Sequence, residues 1–335
     1  MTTPTRPRAR QGFTLVEMLV VIVIIGILAG LITAAAFRAR IAAKQAVIKL
    51  EVEQLAMAIE HYKSEVGEYP PDCVFLQTSG QTLTDARNDV LRHLRKLFPR
   101  YVPIGNNATD SDWKRFCDDV KNSYASIDPD KFEPGSALLF FLGGLPEKNT
   151  GEWIPAGFHV NPTNPFQIGG PRTKPYFEFA RDRIKVTEPK PDNASVTRCL
   201  HYYPAGIAAP YVYFKARGKE YGTTDSKTAP KVVYPSYYEH KATNVCVPYL
   251  EPPTNEPDET KWRPDLPANQ RLWRSLGKFQ IISAGLDGEF GTGWGFRYTK
   301  AGRELDADGK NPTNLNAGNL DNLTNFAEGT LEDEM

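Results

Sequence analysis

Residues 13–37, FTLVEMLVVIVIIGILAGLITAAAF, form an apolar run interrupted by a single charge, Glu17. At 1.5 Å per residue the run makes a helix of roughly 37 Å, long enough to cross the hydrocarbon core of a bilayer. The residues before it, MTTPTRPRARQG, hold Arg6, Arg8 and Arg10 and no acid. The chain is therefore expected to be anchored in a membrane by this segment. Charge bias does not orient it, because Arg38, Arg40 and Lys44 beyond the run match the three arginines before it.

A carboxylate inside such a run calls for a counter-charge. At the centre of a bilayer an acid costs on the order of 2.5–3.5 kcal/mol, and less near the edge, where Glu17 lies. A cut after Gly12 would create the missing cation as the new α-amino group of Phe13. The amine of one chain could then meet Glu17 of a neighbour inside a bundle of apolar helices. An unpaired charge would penalise every wrong register. Gly26 and Gly30, spaced G-x-x-x-G, suit close helix packing or local flexibility equally well.

The helical pattern continues past the membrane. RARIAAKQAVIKLEVEQLAMAIEHYKSEV contains no Gly or Pro before Gly67. Ile41, Ile48, Val52, Leu55, Ile59, Tyr62 and Val66 fall on one stripe, with Lys44, Lys49, Glu53, Glu60 and Lys63 on the wetted side. Gly67 is placed to end the helix, and Tyr69-Pro70-Pro71 prevents its resumption. The spacing predicts one helix over 13–66.

Beyond residue 70 lie nearly all of the 27 prolines and most of the 26 glycines and 15 tyrosines, separated by short apolar runs. That composition reads as a loop-rich domain, and the fold class is α+β: a long N-terminal helix packed on a globular domain with an antiparallel sheet. Helices are expected at 84–98 and 111–121. Strands are expected at 176–179, 200–203, 211–216 and 279–284, where aromatic and β-branched residues cluster. The stretch 215–267, rich in Pro, Thr, Lys and Glu, reads as a long surface excursion. Tyr202, Tyr203, Tyr211, Tyr213, Tyr237 and Tyr238 read as sheet packing rather than a ligand surface.

Lys plus Arg and Asp plus Glu balance at 40 each, so no nucleic acid or acidic partner is indicated. Cys73, Cys117, Cys199 and Cys246 lack zinc-site spacing. In an oxidising compartment they allow two disulfides in any of three pairings; in a reducing one they read as small buried apolar residues. The five histidines form no H-x-x-x-H pair, and there is no nucleophile elbow, Walker loop or dinucleotide fingerprint. No catalytic residue is expected.

The string QGFTLVEMLVVIVIIGILAGL resembles the class III signal of type IV pilins and pseudopilins. It joins a basic leader ending in Gly12, then Phe13, then Glu17 at a fixed offset, then an unbroken apolar helix. The resemblance implies a leader over 1–12 removed by a prepilin peptidase, N-methylation of Phe13 and an assembly role for Phe13 and Glu17. It also implies a helix over 13–69 and an exported domain over 70–335. Many relatives carry a proline about twenty residues after the cut, but here Ala34 takes that place and no proline kink is expected. The helix ending in Gly67-Glu68-Tyr69-Pro70 is similar to that of the major pseudopilins of type II secretion.

Further along, FQIISAGLDGEFGTGWGF from Phe279 resembles their C-terminal strand and loop, which binds calcium. Asp287 and Glu289 match, whereas Gly293-Trp294-Gly295 replaces the usual aspartate run. Asp306 and Asp308, with Asp321 and Asn322, are the remaining oxygen donors for such an ion. The expected function is a structural subunit of a type II secretion pseudopilus, with a surface type IV pilin and a membrane-tethered periplasmic protein as alternatives. The implied partners are other pilin-like subunits, prepilin peptidase, an inner-membrane assembly platform and lipid. The implied location is the bacterial inner membrane, with the domain outside the cytoplasm.

Overall fold

A computed structural model of the protein describes residues 15–73, 81–101, 110–123, 127–149, 152–187, 199–217, 220–221, 246, 248–249, 275, 277–288, 290 and 322–330. The chain divides into two compact units, residues 1–44 and residues 45–335. Helix α1, Leu15–Val66, contributes to both.

In the first unit every described residue is helical, and residues 15–40 are all exposed. The window of highest mean hydropathy in α1 reaches 3.0, so the helix is long and apolar enough to cross a membrane. The Thr33 hydroxyl donates to the Ala29 carbonyl at 2.7 Å, which satisfies the one hydroxyl in this stretch without a partner from outside.

In the second unit the remainder of α1 buries Ile48, Val52, Leu55, Ala58, Ile59 and Tyr62, at the three- and four-residue spacing of a single face. Gly67 ends the helix at φ +89°, its N–H bonded to the Lys63 carbonyl at 2.8 Å. Only a residue free to enter the left-handed region makes that cap without strain. Helices α2, Gln81–Leu97, and α3, Asp110–Ser123, match the expected pair and add Ala86, Val90, Leu91, Leu94, Trp113, Phe116 and Val120 to the core.

A fourth helix, α4 (Pro134–Gly143), has no counterpart in the sequence expectations. All ten of its residues are buried. Proline at its first position fits there because no helical N–H is lost, and the Glu133 N–H donates to Ser136 Oγ at 2.8 Å. A helix buried all round shows no polar face, so its run SALLFFLG has no readable period.

The strands are β1 (Pro146–Asn149), β2 (Glu152–Pro155), β3 (Ile184–Thr187), β4 (Cys199–Tyr202), β5 (Val212–Arg217), β6 (Glu220–Tyr221), β7 (Phe279–Ser283) and β8 (Leu323–Thr324). They form two antiparallel pairs, β1–β2 and β3–β4, and a four-stranded antiparallel sheet in the order β6-β5-β7-β8. In that sheet Val212 faces Ile282 and Phe214 faces Gln280. All of β7 and most of β5 are buried, which is why neither strand alternates polar and apolar residues.

Two expectations need correction. Residues 176–179 are bends and coil rather than a strand. Their aromatic rings pack sideways: Tyr176 lies edge-on to Tyr62, and Phe179 edge-on to Tyr202, with centroids 4.8 and 4.9 Å apart. The Tyr176 N–H donates to Leu142 at the end of α4 instead of to a ladder. The stretch 215–267 does not start as a surface excursion either. Lys215 and Ala216 are buried in β5, and Tyr221, Cys246 and Tyr249 are buried as well. The rest of that stretch lies outside the described residues. Cys73, Cys117, Cys199 and Cys246 are all buried and free.

Candidate assembly site

In the first unit, Glu17 lies in the first turn of α1. An acid is favoured there by the positive end of the helix dipole. Around it the helix is uncovered: Leu15, Val16, Ile22, Ile25, Leu31 and Ile32 each keep more than half of their surface exposed. At Gly26 and Gly30 an added Cβ would meet nothing within 4 Å, so both glycines open notches on the helix surface. An apolar helix bare on all sides and notched by small residues has the chemistry of a segment covered by lipid or by other helices. Gly12 and Phe13 lie outside the described residues.

In the second unit, a polar cluster holds α1 to the sheet side of the domain. Glu51 is buried on the inner face of the helix. Arg183 binds it through both terminal nitrogens, Nη1 to Oε2 at 2.7 Å and Nη2 to Oε1 at 2.5 Å. The hydroxyls of Tyr202 and Tyr211 donate to the same carboxylate at 2.6 and 2.5 Å. Burial pushes the carboxyl up, but the hydrogen bonds from Arg183, Tyr202 and Tyr211 outweigh it and leave the group below its ordinary value. A carboxylate taken out of water is tolerable here because its lone pairs are filled.

A second cluster closes the far end of the helix. The Tyr62 hydroxyl lies 2.6 Å from His93 Nε2, and His93 Nδ1 lies 2.7 Å from Glu68, which also accepts from Lys96 at 2.6 Å. The hydrogen bond from His93 holds the Glu68 carboxyl at about 2, so it is an acceptor only. Burial pushes His93 down, against the pull of Glu68. The imidazole is thus neutral, with its proton on Nδ1 and Nε2 accepting from Tyr62. The order carboxylate, imidazole, hydroxyl has the form of a catalytic relay, yet the hydroxyl at its end is fully buried and meets no solvent. Its role is to join α1, α2 and the Gly67 turn.

Of the four acids expected to hold calcium, one falls among the described residues. Asp287 lies in the turn at 285–288, while Glu289, Asp306 and Asp308 lie outside the described residues. A different group, Cys117, Asp128 and Asp130, has ligand atoms within 4.8 Å of one another. The protein's own cations already serve it, with Lys121 on Asp128 at 2.8 Å and Arg87 on Asp130 at 2.9 Å. Burial also pushes the Cys117 thiol far up, so it offers no thiolate.

Residues 7–33 match the family model described as the prokaryotic N-terminal methylation motif. The match takes in the basic N-terminal stretch and the first part of the bare apolar helix, and the motif is of the prepilin type. The chain is 40% identical over 63 residues to the type II secretion system core protein G of Pseudomonas aeruginosa. Those residues make up 19% of this chain and 44% of the relative, so the chain spans less than half the length of the curated relative it matches. No solved structure matches the chain significantly.

Proposed function

We propose that the protein is a structural subunit of a type II secretion pseudopilus, made as a precursor, cut after Gly12 and assembled through its N-terminal helix. The observation that carries this reading is the matched methylation motif over 7–33, followed by an apolar helix whose first turn bears Glu17. Cleavage supplies the α-amino group of Phe13, and in a bundle of such helices that amine neutralises the Glu17 of a neighbour. The similarity to the core protein G, limited to 63 residues, favours a secretion pseudopilus over a surface pilus.

On this reading the partners are other pilin-like subunits, prepilin peptidase, an assembly platform in the inner membrane and the surrounding lipid. The domain stands outside the cytoplasm and the role is mechanical rather than catalytic. A calcium ion held by Asp287 and Glu289 remains part of the proposal, with Asp306 and Asp308 as the further donors.

The test is mass spectrometry of the N-terminal peptide of the protein extracted from membranes. The expected peptide starts at Phe13 and carries the added mass of one methyl group. An intact Met1 would mean a simple tether, and a start near Phe37 a secreted soluble protein; either result sinks the filament reading.

A further inference from the structure

Between the end of α1, α2 and the β5 strand lies a cavity of about 490 Å³, whose charged lining is Lys63, Glu68, Asp89, Arg92, Lys215 and Arg217. Its carboxylates are engaged. Asp89 accepts from Arg92 and, at 3.4 Å, from Arg217 Nε. Glu68 accepts from His93 and Lys96. Behind them the fully buried Asp72 accepts from Arg217 Nη2 at 2.8 Å and from the Lys215 backbone N–H at 3.1 Å.

Two ammonium groups keep protons to donate. The Lys215 side chain is 11% exposed, comes no nearer to a carboxylate than 3.9 Å from Asp89, and donates no hydrogen bond from Nζ among the described residues. Lys63 rests its Nζ 4.1 Å from the centroid of the Tyr69 ring, is hydrogen-bonded to that side chain, and has no carboxylate within 4.0 Å among the described residues. An ammonium has three protons to donate, and keeping one away from water without an acceptor is costly. Burial accordingly pushes the Lys215 amine down, against the pull of Asp89 and Glu68. Gly67 and Gly277 also line the cavity, and an added Cβ at either would meet nothing within 4 Å, so its approach is open.

We propose that this cavity binds a small free oxyanion, a phosphate or a carboxylate, through the ammonium groups of Lys215 and Lys63. The bound oxygens supply the acceptors that Lys215 lacks. The lining favours this sign of charge, since Lys63, Arg92, Lys215 and Arg217 outnumber Glu68 and Asp89 even with Asp72 behind them on Arg217. Charge-assisted bonds to phosphate or carboxylate are the stronger kind, and an ammonium serves either as a point charge.

The test titrates the full chain in detergent with sodium phosphate and, separately, with citrate, at ionic strength held constant with sodium chloride. Binding is read by calorimetry and by the rise in unfolding temperature. Saturable binding of one or both anions is expected, weakened by about tenfold or more in Lys215→Met, as removal of a charged donor implies. Lys63→Met, at a more exposed position, should weaken it in the same direction without disturbing the fold. Absence of saturable binding by both anions overturns the proposal, as does an affinity unchanged in both variants. Where Lys215→Met does not fold, unchanged affinity in Lys63→Met alone is enough to overturn it.

Discussion

His93 takes its neutral form from burial and its orientation from Glu68, and both leave a mark on the pH dependence of stability. The imidazole lies below its ordinary value of 6.5 in the folded chain. Unfolded chains therefore take up a proton first as pH falls, so the stability from this group is complete above about 6.5 and declines below it. Glu68 stays ionised to about 2 against an ordinary 4.5, so its contribution is complete above 4.5 and is lost as pH falls toward 2. Denaturant unfolding across pH should thus show two successive losses, the first setting in as pH falls below about 6.5. In His93→Gln the first loss should disappear while the second is reduced, because Glu68 keeps Lys96 but not the imidazole. An unchanged slope in that variant would rule out His93 as its source.

Neither buried cluster could be read from the sequence, although one left a trace. Glu51 follows Ile48 by three residues and precedes Leu55 by four, which puts an acid in the middle of the apolar stripe. Such an interruption signals a buried charge, but its partners Arg183, Tyr202 and Tyr211 are more than 130 residues away in the chain. Only the fold brings them together. Glu17 stands out in the sequence for the opposite reason: it is the one charge in an apolar run.

At the scale of elements the same division holds. Helix α1 was readable because half of it is apolar throughout and the other half is one-sided. Helices α2 and α3 were readable because each has a wet face, and β4, β5 and β7 were marked by clustered aromatic and β-branched residues. Helix α4 was hidden by its complete burial, and the aromatic residues 176–179 misled because rings that cap a core leave the same composition as rings that line a sheet. The join after α4 is tight. Gly144 sits at φ +75° with its own approach to Gly157, and a Cβ there would come within 2.4 Å of the Gly157 backbone. Gly144→Ala must therefore bear both a left-handed alanine and a backbone clash that no side-chain rotation relieves. The expected loss is about 3 kcal/mol or more, the range of strain and overpacking combined. It is measured as a fall in the denaturant midpoint with an unchanged slope. A loss under about 1 kcal/mol would mean that the 156–158 loop moves freely, against the parallel bridge it forms with Gly144.

For the molecule as a whole, the division at Lys44 and Gln45 assigns anchoring and folding to different parts of the chain. No described residue from 15 to 40 is buried, so removing them takes away no core packing. The second unit keeps the buried face of α1 from Ile48 to Tyr62, and with it the Glu51 and Tyr62 clusters. A chain starting at Gln45 should therefore remain in water without detergent and unfold cooperatively. Its midpoint should lie within a few degrees of the full chain's, since a loss of 1 kcal/mol already shifts a domain of this size by about 2–4 °C. Its pH profile should show the same two losses as the full chain, because His93 and Glu68 are both retained. The full chain should float with lipid vesicles and the shortened one should not. If the shortened chain aggregates or melts more than about 10 °C lower, then the apolar segment contributes to the fold as well as to anchoring, and the two parts are not separable.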